Sequence, residues 1–268
     1  MDATWTGQLS LTRRAAVFLQ GGAAHTLHLA REVLGLSGND SAASAAVFTL
    51  LGSDPRFQVD GEGWWSLSVK GPDPWEELER LTYAVVDLET TGGAPDRGHR
   101  ITEIAVVEVR AGAISEGFQT LVNPGRPIPR PMSELTGITD EMVSGAPFFD
   151  GVAQQLFDRM EGRVFVAHNA PFDWRFLSYQ FCDCLGAAPE GPRLCTLKMA
   201  RRLVPDLRPR HLDALASHFG VAIHSRHRAL GDALATARIL LGLLDEARAL
   251  GVRDLTSLLL LLQRKGPP

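Results

Sequence analysis

The first part of the chain predicts three helices, because apolar residues recur there at spacings of three and four. The predicted helices are Leu11–Leu19, Thr26–Leu34 and a segment that is capped by Asn39 or Asp40 and ends at Leu51. Alternating residues then flank the turn signal Asp60-Gly61 over Phe57–Val69, which indicates a short hairpin. Three helices and a hairpin are the element order of a winged helix. We therefore expect residues 1–79 to form a small winged-helix-like α+β domain, with a linker at Gly71-Pro72-Asp73-Pro74.

The pattern changes to strand-like runs from Leu81 onward. Short turns at Ala111-Gly112 and Asn123-Pro124-Gly125 end the second and third runs, which suggests an antiparallel meander. Helical patterns then alternate with short strands, as in an α/β domain with a mixed sheet. The predicted strands are Tyr83–Leu88, Ile101–Val109, Phe118–Val122 and Val164–Ala167. We place this domain at residues 80–244, followed by a helical, leucine-rich tail at 245–268.

Composition and charge limit the possible partners of the chain. With 268 residues, 45% of them hydrophobic, it has the composition of a soluble globular protein. A net charge of -4 predicts no general attraction to nucleic acid, so any such binding must be local. The first ten residues lack the features of a secretory signal, and we expect no membrane association. Three cysteines, an odd number, suggest reduced thiols and a cytoplasmic location.

Asp87-Leu88-Glu89 is the first candidate for chemistry. Residues two apart on a strand point the same way, so Asp87 and Glu89 share one face. Two like charges held together at the end of an apolar strand repel each other. A divalent cation relieves that repulsion, and oxygen ligands suit magnesium or manganese. Two solvated acids at a strand end would give the same sequence.

Two further segments place an acid near the start of a helix. Asp173 follows His168-Asn169-Ala170-Pro171-Phe172, in which Asn169 and Pro171 suit the beginning of a helix. An acid there would also simply complement the helix dipole. Asp232 lies five positions after His227, before an alanine-rich helical stretch. Histidine is the side chain best suited to accept a proton near neutral pH. Taken alone, such a His–Asp pair is usually a surface feature.

The three segments together are far more specific than each alone. Val85–Gly92, His168–Asp173 and His227-x4-Asp232 resemble the three motifs of the DEDDh (DnaQ-like) 3′→5′ exonuclease family, which includes the proofreading epsilon subunit of bacterial DNA polymerase III. The likeness covers roughly residues 80–244. It implies an RNase H-like fold with a mixed five-stranded sheet. It does not extend to residues 1–79 or to the tail.

The resemblance also implies roles for individual residues. Asp87, Glu89, Asp173 and Asp232 would hold two divalent ions, Mg²⁺ or Mn²⁺, and His227 would be the general base. The nearby His224 stands at a spacing that the family does not use, and His211 and His218 have apolar neighbours that suggest structural roles. Thr136 stands where many relatives carry histidine, which puts its contact with the nucleotide in question. The residues matching positions that hold the terminal nucleotide in relatives are Thr90, Leu135, Thr136 and Ile138, while Phe172 can stack on a base or pack in the core.

The implied substrate is the 3′ end of a single strand, and DNA is favoured over RNA. The motifs do not read the 2′-hydroxyl, so an RNA-trimming exonuclease of the same family is the alternative. A non-catalytic nucleic-acid-binding scaffold is a weaker alternative, since all five motif residues are present. Residues 1–79 carry five basic and ten acidic residues, and the third helix has no Lys or Arg. Because phosphate contacts need cations, we expect this domain to dock a protein or to inhibit the nuclease rather than to bind DNA.

Overall fold

A computed structural model of the chain describes residues 11–19, 21–54, 57–67, 77–115 and 117–263. The described residues form two compact units. One contains those up to position 67 together with Phe181–Ala188, and the other contains the remainder. The linker predicted at positions 71–74 and the amino-terminal ten residues lie outside the described residues.

The first unit has three helices and a small sheet. Its helices are α1 (Leu11–Leu19), α2 (Thr26–Glu32) and α3 (Asp40–Leu51), and its strands are β1 (Ala24–His25), β2 (Phe57–Val59) and β3 (Trp64–Leu67). These elements confirm the three predicted helices and the hairpin. The β1 strand was not predicted, because two residues give too short a pattern. It pairs antiparallel with β3, so the sheet has the order β1-β3-β2.

Specific contacts fix the ends and the core of this unit. The side chain of Asn39 accepts a hydrogen bond of 3.0 Å from the Ala42 amide and caps α3, as predicted. The indole of the fully buried Trp65 donates to the Thr26 hydroxyl at 3.0 Å, and that hydroxyl donates to the Gly63 carbonyl at 2.8 Å. These bonds hold the hairpin to the start of α2.

The second unit is an α/β domain built on one mixed sheet. Its strands are β4 (Thr82–Thr90), β5 (Ile101–Arg110), β6 (Ala113–Ile114), β7 (Phe118–Leu121), β8 (Val164–Ala167) and β9 (Arg193–Cys195). Its helices are α4 (Arg130–Thr136), α5 (Asp140–Ser144), α6 (Phe149–Met160), α7 (Ala170–Leu185), α8 (Thr196–Leu203), α9 (Leu212–His218), α10 (Ala229–Ala249) and α11 (Leu255–Gln263), with the end of α7 grouping with the first unit.

The sheet has the order β6-β5-β4-β8-β9, with β7 also paired to β5. Strands β4, β8 and β9 are parallel to one another, whereas β5 runs antiparallel to β4. The mixed sheet is therefore confirmed, but it has six strands rather than the expected five. The additional strand, β6, has two residues, which pair with the end of β5 across the turn at Ala111-Gly112. So short a strand leaves no alternating pattern in the sequence.

Helices cover both faces of the sheet. Val85, Val107 and Val166 point toward the face on which α8, α9, α10 and α11 pack. Phe165 is on the opposite face, where its ring contacts Trp174 of α7 with centroids 5.1 Å apart. Such burial on both faces explains why β4, β5 and β8 are nearly continuous apolar runs.

The carboxyl-terminal tail belongs to the second unit. Leu255 and Leu258 of α11 are buried in the same core as β4 and α10. Helix α11 packs against α8 within this unit. None of the helices among the described residues combines the length and the apolar character that a membrane crossing requires.

Candidate active site

Asp87 and Glu89 lie at the carboxyl end of the central strand β4. Both point to the face on which α10 packs, as the alternation of the strand requires. Glu89 pairs in register with Glu103 of β5, and the register shifts at the next step, between Glu89 and Thr90. This bulge ends the regular pairing at the last acid of the motif. The hydroxyl of Thr90 then donates to the Gly92 carbonyl at 2.8 Å and tightens the exit turn.

Asp173 enters the site from the first turn of α7. It is 3% exposed. The helix starts directly after Asn169, which has a left-handed φ of 68°, a conformation that asparagine tolerates better than most residues. Because β8 and β4 are parallel neighbours, the helix that follows β8 begins at the sheet edge where β4 ends.

His227 and Asp232 come from the loop before α10 and from the first turn of that helix. The amide of His227 donates to Asp232 Oδ2 at 3.2 Å, and His227 has a left-handed φ of 59°. Asp232 is 3% exposed, and its Oδ1 has no hydrogen-bond partner among the described residues. Gly231 permits this packing, because a Cβ there would stand 2.0 Å from the His224 carbonyl oxygen.

The acids interact strongly with one another. Burial raises the pKa of Asp87 well above its usual range, and the charges of Asp173, Asp232 and Glu89 raise it further. Burial and then the charges of Asp232 and Glu103 raise the pKa of Glu89 to about 7. Burial likewise raises the pKa of Asp173 and, against the opposing charge of Arg226, that of Asp232. The structure thus brings all four sequence-predicted carboxylates together in an environment where they resist losing their protons.

Glu89, His227 and Asp232 form a group that can hold a cation. One ligand atom from each lies within 4.8 Å of the others. His224 is not in this group. It is exposed on the loop before His227. The sequence analysis chose His227 over His224, and it is His227 that lies with the acids.

A buried ion pair holds the start of α10 against the sheet. Glu103 is 0% exposed, and its carboxylate accepts from Arg228 Nη2 at 2.7 Å and Nε at 3.0 Å, from the Ala229 amide at 2.9 Å and from the Gln119 side chain at 2.6 Å. Burial would raise the pKa of Glu103, but these hydrogen bonds outweigh it and leave the pKa lowered. Since Arg228 follows His227 directly, this network positions the loop that carries the histidine.

Arg226 is a residue of the site that the sequence analysis missed. Its guanidinium is hydrogen-bonded to Asp232 Oδ2 and donates to Asp213 at 3.0 Å. Its Nη1 also lies 3.4 Å from Nδ1 of His227. The arginine therefore neutralises part of the acidic cluster. Its place next to His227 was the signal available in the sequence, and a single cation beside a motif is too common a feature to be decisive.

His168, His211 and His218 make structural contacts. Burial, followed by the charge of Arg226, lowers the pKa of His168 to about 4, so its ring is neutral near pH 7. Its Nδ1 is 2.9 Å from the buried Thr196 hydroxyl, which joins the end of β8 to the start of α8. His211 caps α9 by accepting from the Ala214 amide at 3.2 Å, and the His218 ring packs on Phe219. Both have the structural roles that their neighbours suggested.

The residues predicted to hold the terminal nucleotide differ in their exposure. Leu135 is 50% exposed, whereas Ile138 is fully buried with Ile128 and Val143 in a small separate cluster. The Thr136 hydroxyl donates to the Met132 carbonyl and accepts from the Ile138 amide, so it is already used within its own turn. The half-buried Phe172 packs on Phe176, with ring centroids 5.1 Å apart, so core packing accounts for at least part of its surface. Within this set, Leu135 offers the most surface to a ligand.

Four carboxylates and an imidazole at one end of a sheet are a set of groups suited to metal-dependent phosphodiester hydrolysis. The chain belongs to the exonuclease family, whose profile, described as Exonuclease (RNase_T), matches residues 84–240. It is 36% identical over 165 residues to the DNA polymerase III subunit epsilon of Aquifex aeolicus, a match that covers 62% of this chain and 81% of that protein.

Other relatives extend the likeness. The DNA polymerase III subunit epsilon-like protein of Rhodobacter capsulatus is 37% identical over 214 residues, which is 78% of this chain but 30% of that protein. The chain thus spans less than a third of the length of this curated relative. Among solved structures, Exonuclease X in complex with 5′ overhanging duplex DNA is 31% identical, with a TM-score of 0.51, over 64% of this chain and 93% of that one.

Proposed function

We propose that this protein is a metal-dependent 3′→5′ exonuclease that releases 5′-mononucleotides, and that Asp87, Glu89, Asp173, Asp232 and His227 carry the reaction. The observation behind the proposal is the convergence of four carboxylates with raised pKa values on one sheet edge, beside a histidine. Groups with strongly perturbed pKa values cluster at functional sites.

The donor set fits divalent metal. Hard carboxylate oxygens are the ligands of Mg²⁺ and Mn²⁺, and the unpartnered buried Oδ1 of Asp232 is an acceptor with no donor among the described residues. Asp87, Glu89, Asp173 and Asp232 would hold the ions. When bound, two such ions polarise the scissile phosphate and stabilise the attacking and leaving oxygens.

The protein side chains orient the reactants. The His227 ring would accept the proton of the attacking water through a nitrogen. Its backbone amide bond to Asp232 and the neighbouring Arg228–Glu103 pair fix where that nitrogen can point. The exposed Leu135 would lie against the terminal nucleotide, with Thr90, Thr136, Ile138 and Phe172 shaping the pocket behind it.

DNA is the favoured substrate, because several relatives are named as DNA polymerase III proteins, among them the epsilon subunit of Aquifex aeolicus. RNA trimming is the second candidate. A time course on matched single-stranded DNA and RNA, each labelled at the 5′ end, would compare them. The expected result is a ladder that shortens from the 3′ end with Mg²⁺ or Mn²⁺ and stops with a chelator. Cutting of a closed circular strand would contradict the proposal, and Asp87→Ala protein is the matched control.

We further propose that the first unit is a winged-helix-like domain that docks a protein. Its element order and its β1-β3-β2 sheet support the comparison. Helix α3 has no Lys or Arg and exposes Phe48, which is 46% accessible, so it suits an apolar partner surface rather than phosphates.

The docking proposal predicts that this unit adds little affinity for nucleic acid. Charge reversal at the exposed Arg14 and Arg31 should change oligonucleotide affinity by less than tenfold, which corresponds to about 1.4 kcal/mol. A larger loss together with a shallower dependence on salt would instead make the unit a nucleic-acid clamp.

A further inference from the structure

A cationic groove of about 600 Å³ lies beside the catalytic cluster, in the second unit. One wall is a face of α7, since Pro171, Trp174 and Ser178 recur at helical spacing. The outer edge of β9, the start of α8 and the end of α11 form the rest. Its charged members are Arg175 of α7, Arg193 of β9 and Lys198 of α8.

The groove has a charge that the chain as a whole does not have. The protein has a net charge of -4, yet three cations and no carboxylate are among the groove's described lining residues. Arg193 and Lys198 are exposed, and the guanidinium of Arg193 lies over the Trp174 ring, 4.8 Å from its centroid. This contact holds the arginine at the groove without neutralising it. The Arg175 guanidinium bonds the Gly93 carbonyl, just beyond the strand that carries Glu89.

The groove lies at the same end of the sheet as the catalytic cluster, because Ala170, shortly after β8, and Cys195, at the end of β9, line it. Strand β4 pairs with β8 up to Val85 opposite Val166, and β8 pairs with β9 up to Ala167 opposite Cys195, so the same register continued beyond these pairs brings Asp87 and Thr196 to the same end of the sheet. Two strand spacings separate β4 from β9, a lateral distance of about 10 Å. That distance spans at most about three nucleotides, because nucleotides stacked as in B-form DNA rise about 3.4 Å each and those of an extended strand rise more.

We propose that this groove binds the phosphate backbone of the strand being degraded, a few nucleotides upstream of its 3′ end, with Arg193 and Lys198 as the phosphate contacts. The proposal rests on the proposed exonuclease function. It explains how a net acidic chain retains a strand. Phosphate contacts with exposed cations carry no sequence information, so the groove acts on any sequence.

Counterion release sets the size of the effect. Each phosphate contact on a single strand contributes about 0.7 to the slope of log affinity against log salt. Loss of two contacts should therefore make the slope shallower by about 1.4. If the variant and the wild type bind equally at about 1 M salt, the variant should bind about 25-fold more weakly than the wild type at 0.1 M salt.

The test compares Arg193→Gln/Lys198→Gln with Arg110→Gln/Arg201→Gln, which removes the same charge from exposed residues outside the groove. For each protein, kcat/KM is measured with Mg²⁺ at several KCl concentrations, on a DNA dinucleotide and on a single-stranded dodecanucleotide. The expected result is a loss of about 25-fold at 0.1 M salt, with the shallower slope, for the groove variant on the dodecanucleotide alone.

Three results would overturn the proposal. Equal losses in both double variants would show a general charge effect, and an equal loss on the dinucleotide would show damage to the catalytic site. An unchanged rate of the groove variant on the dodecanucleotide at every salt concentration would show that the groove does not contact the strand. If the wild-type protein hydrolyses neither substrate, the proposed function fails first, which separates the two failures.

Discussion

Replacement of Arg228 by methionine tests whether the buried Glu103 depends on its partner. Methionine keeps most of the apolar stem but removes the hydrogen bonds that Nη2 and Nε donate to the carboxylate, the shortest of them 2.7 and 3.0 Å long. Removal of one member of a buried pair costs about 3–5 kcal/mol. We expect the lower end, about 3 kcal/mol, because the arginine side chain is 34% exposed and the Ala229 and Gln119 donors remain.

Thermal unfolding measures this loss. For a chain of this size, about 3 kcal/mol corresponds to a fall in Tm of roughly 6–12 °C. Arg130→Met is the matched control, since the Arg130–Glu134 pair is exposed, with side chains 88% and 61% accessible, and its loss should move the Tm by less than about 2 °C.

A double variant, Glu103→Gln/Arg228→Met, identifies the cause. Glutamine removes the buried charge but still accepts from the Ala229 amide, so the double variant should be more stable than Arg228→Met alone. If it is no more stable, the loss does not come from an unpaired carboxylate and the reasoning is refuted.

The pH dependence follows from the lowered pKa of Glu103. A carboxyl with a lowered folded-state pKa contributes stability above its ordinary value of 4.5, and this contribution is lost as the pH falls through the folded value. The Tm difference between wild type and Arg228→Met should therefore be full at pH 7 and shrink below pH 4.5.

The remaining predictions concern the metal site. Asp87→Ala or Asp232→Ala should abolish hydrolysis in a labelled-oligonucleotide assay while leaving the fold intact by circular dichroism. His227→Ala should lower kcat by about 10²–10⁴-fold with metal binding retained, whereas His224→Ala should change it little; the reverse order would mean that the wrong histidine was chosen. Since the folded-state pKa of Glu89 is raised from 4.5 to about 7, metal-free protein should lose stability as the pH rises between those values. Mg²⁺ should then raise the Tm more at pH 8 than at pH 5, and an equal rise at both would contradict the cluster's electrostatics.

The sequence predicts the nuclease core well because its signals are local. Strand β8 occupies the same residues, Val164–Ala167, as its apolar run, and the alternation of β4 correctly places Asp87 and Glu89 on one face. The three motifs made the convergence of their acids predictable, although about 145 residues separate the first from the last.

Other features could not be predicted because they depend on tertiary contacts. Nothing local marks Glu103 as a buried ion, since its partner Arg228 is distant in sequence. The ion pair between Arg226 and Asp232 depends on the backbone conformation of the loop before α10, in which His227 is left-handed. The cationic groove is likewise assembled from α7, β9, α8 and α11 and has no signature in any one segment.

The positions of the ligands along the chain also govern when the site exists during protein synthesis. Asp87 and Glu89 leave the ribosome first, whereas Asp232 follows about 145 residues later. At ordinary rates of synthesis that interval lasts about 7–30 seconds. Helix α11, whose Leu255 and Leu258 complete the core next to α8, emerges later still. A nascent or prematurely terminated chain therefore cannot assemble the four carboxylates. The proposed hydrolytic activity is therefore available only to a molecule that has completed its nuclease domain.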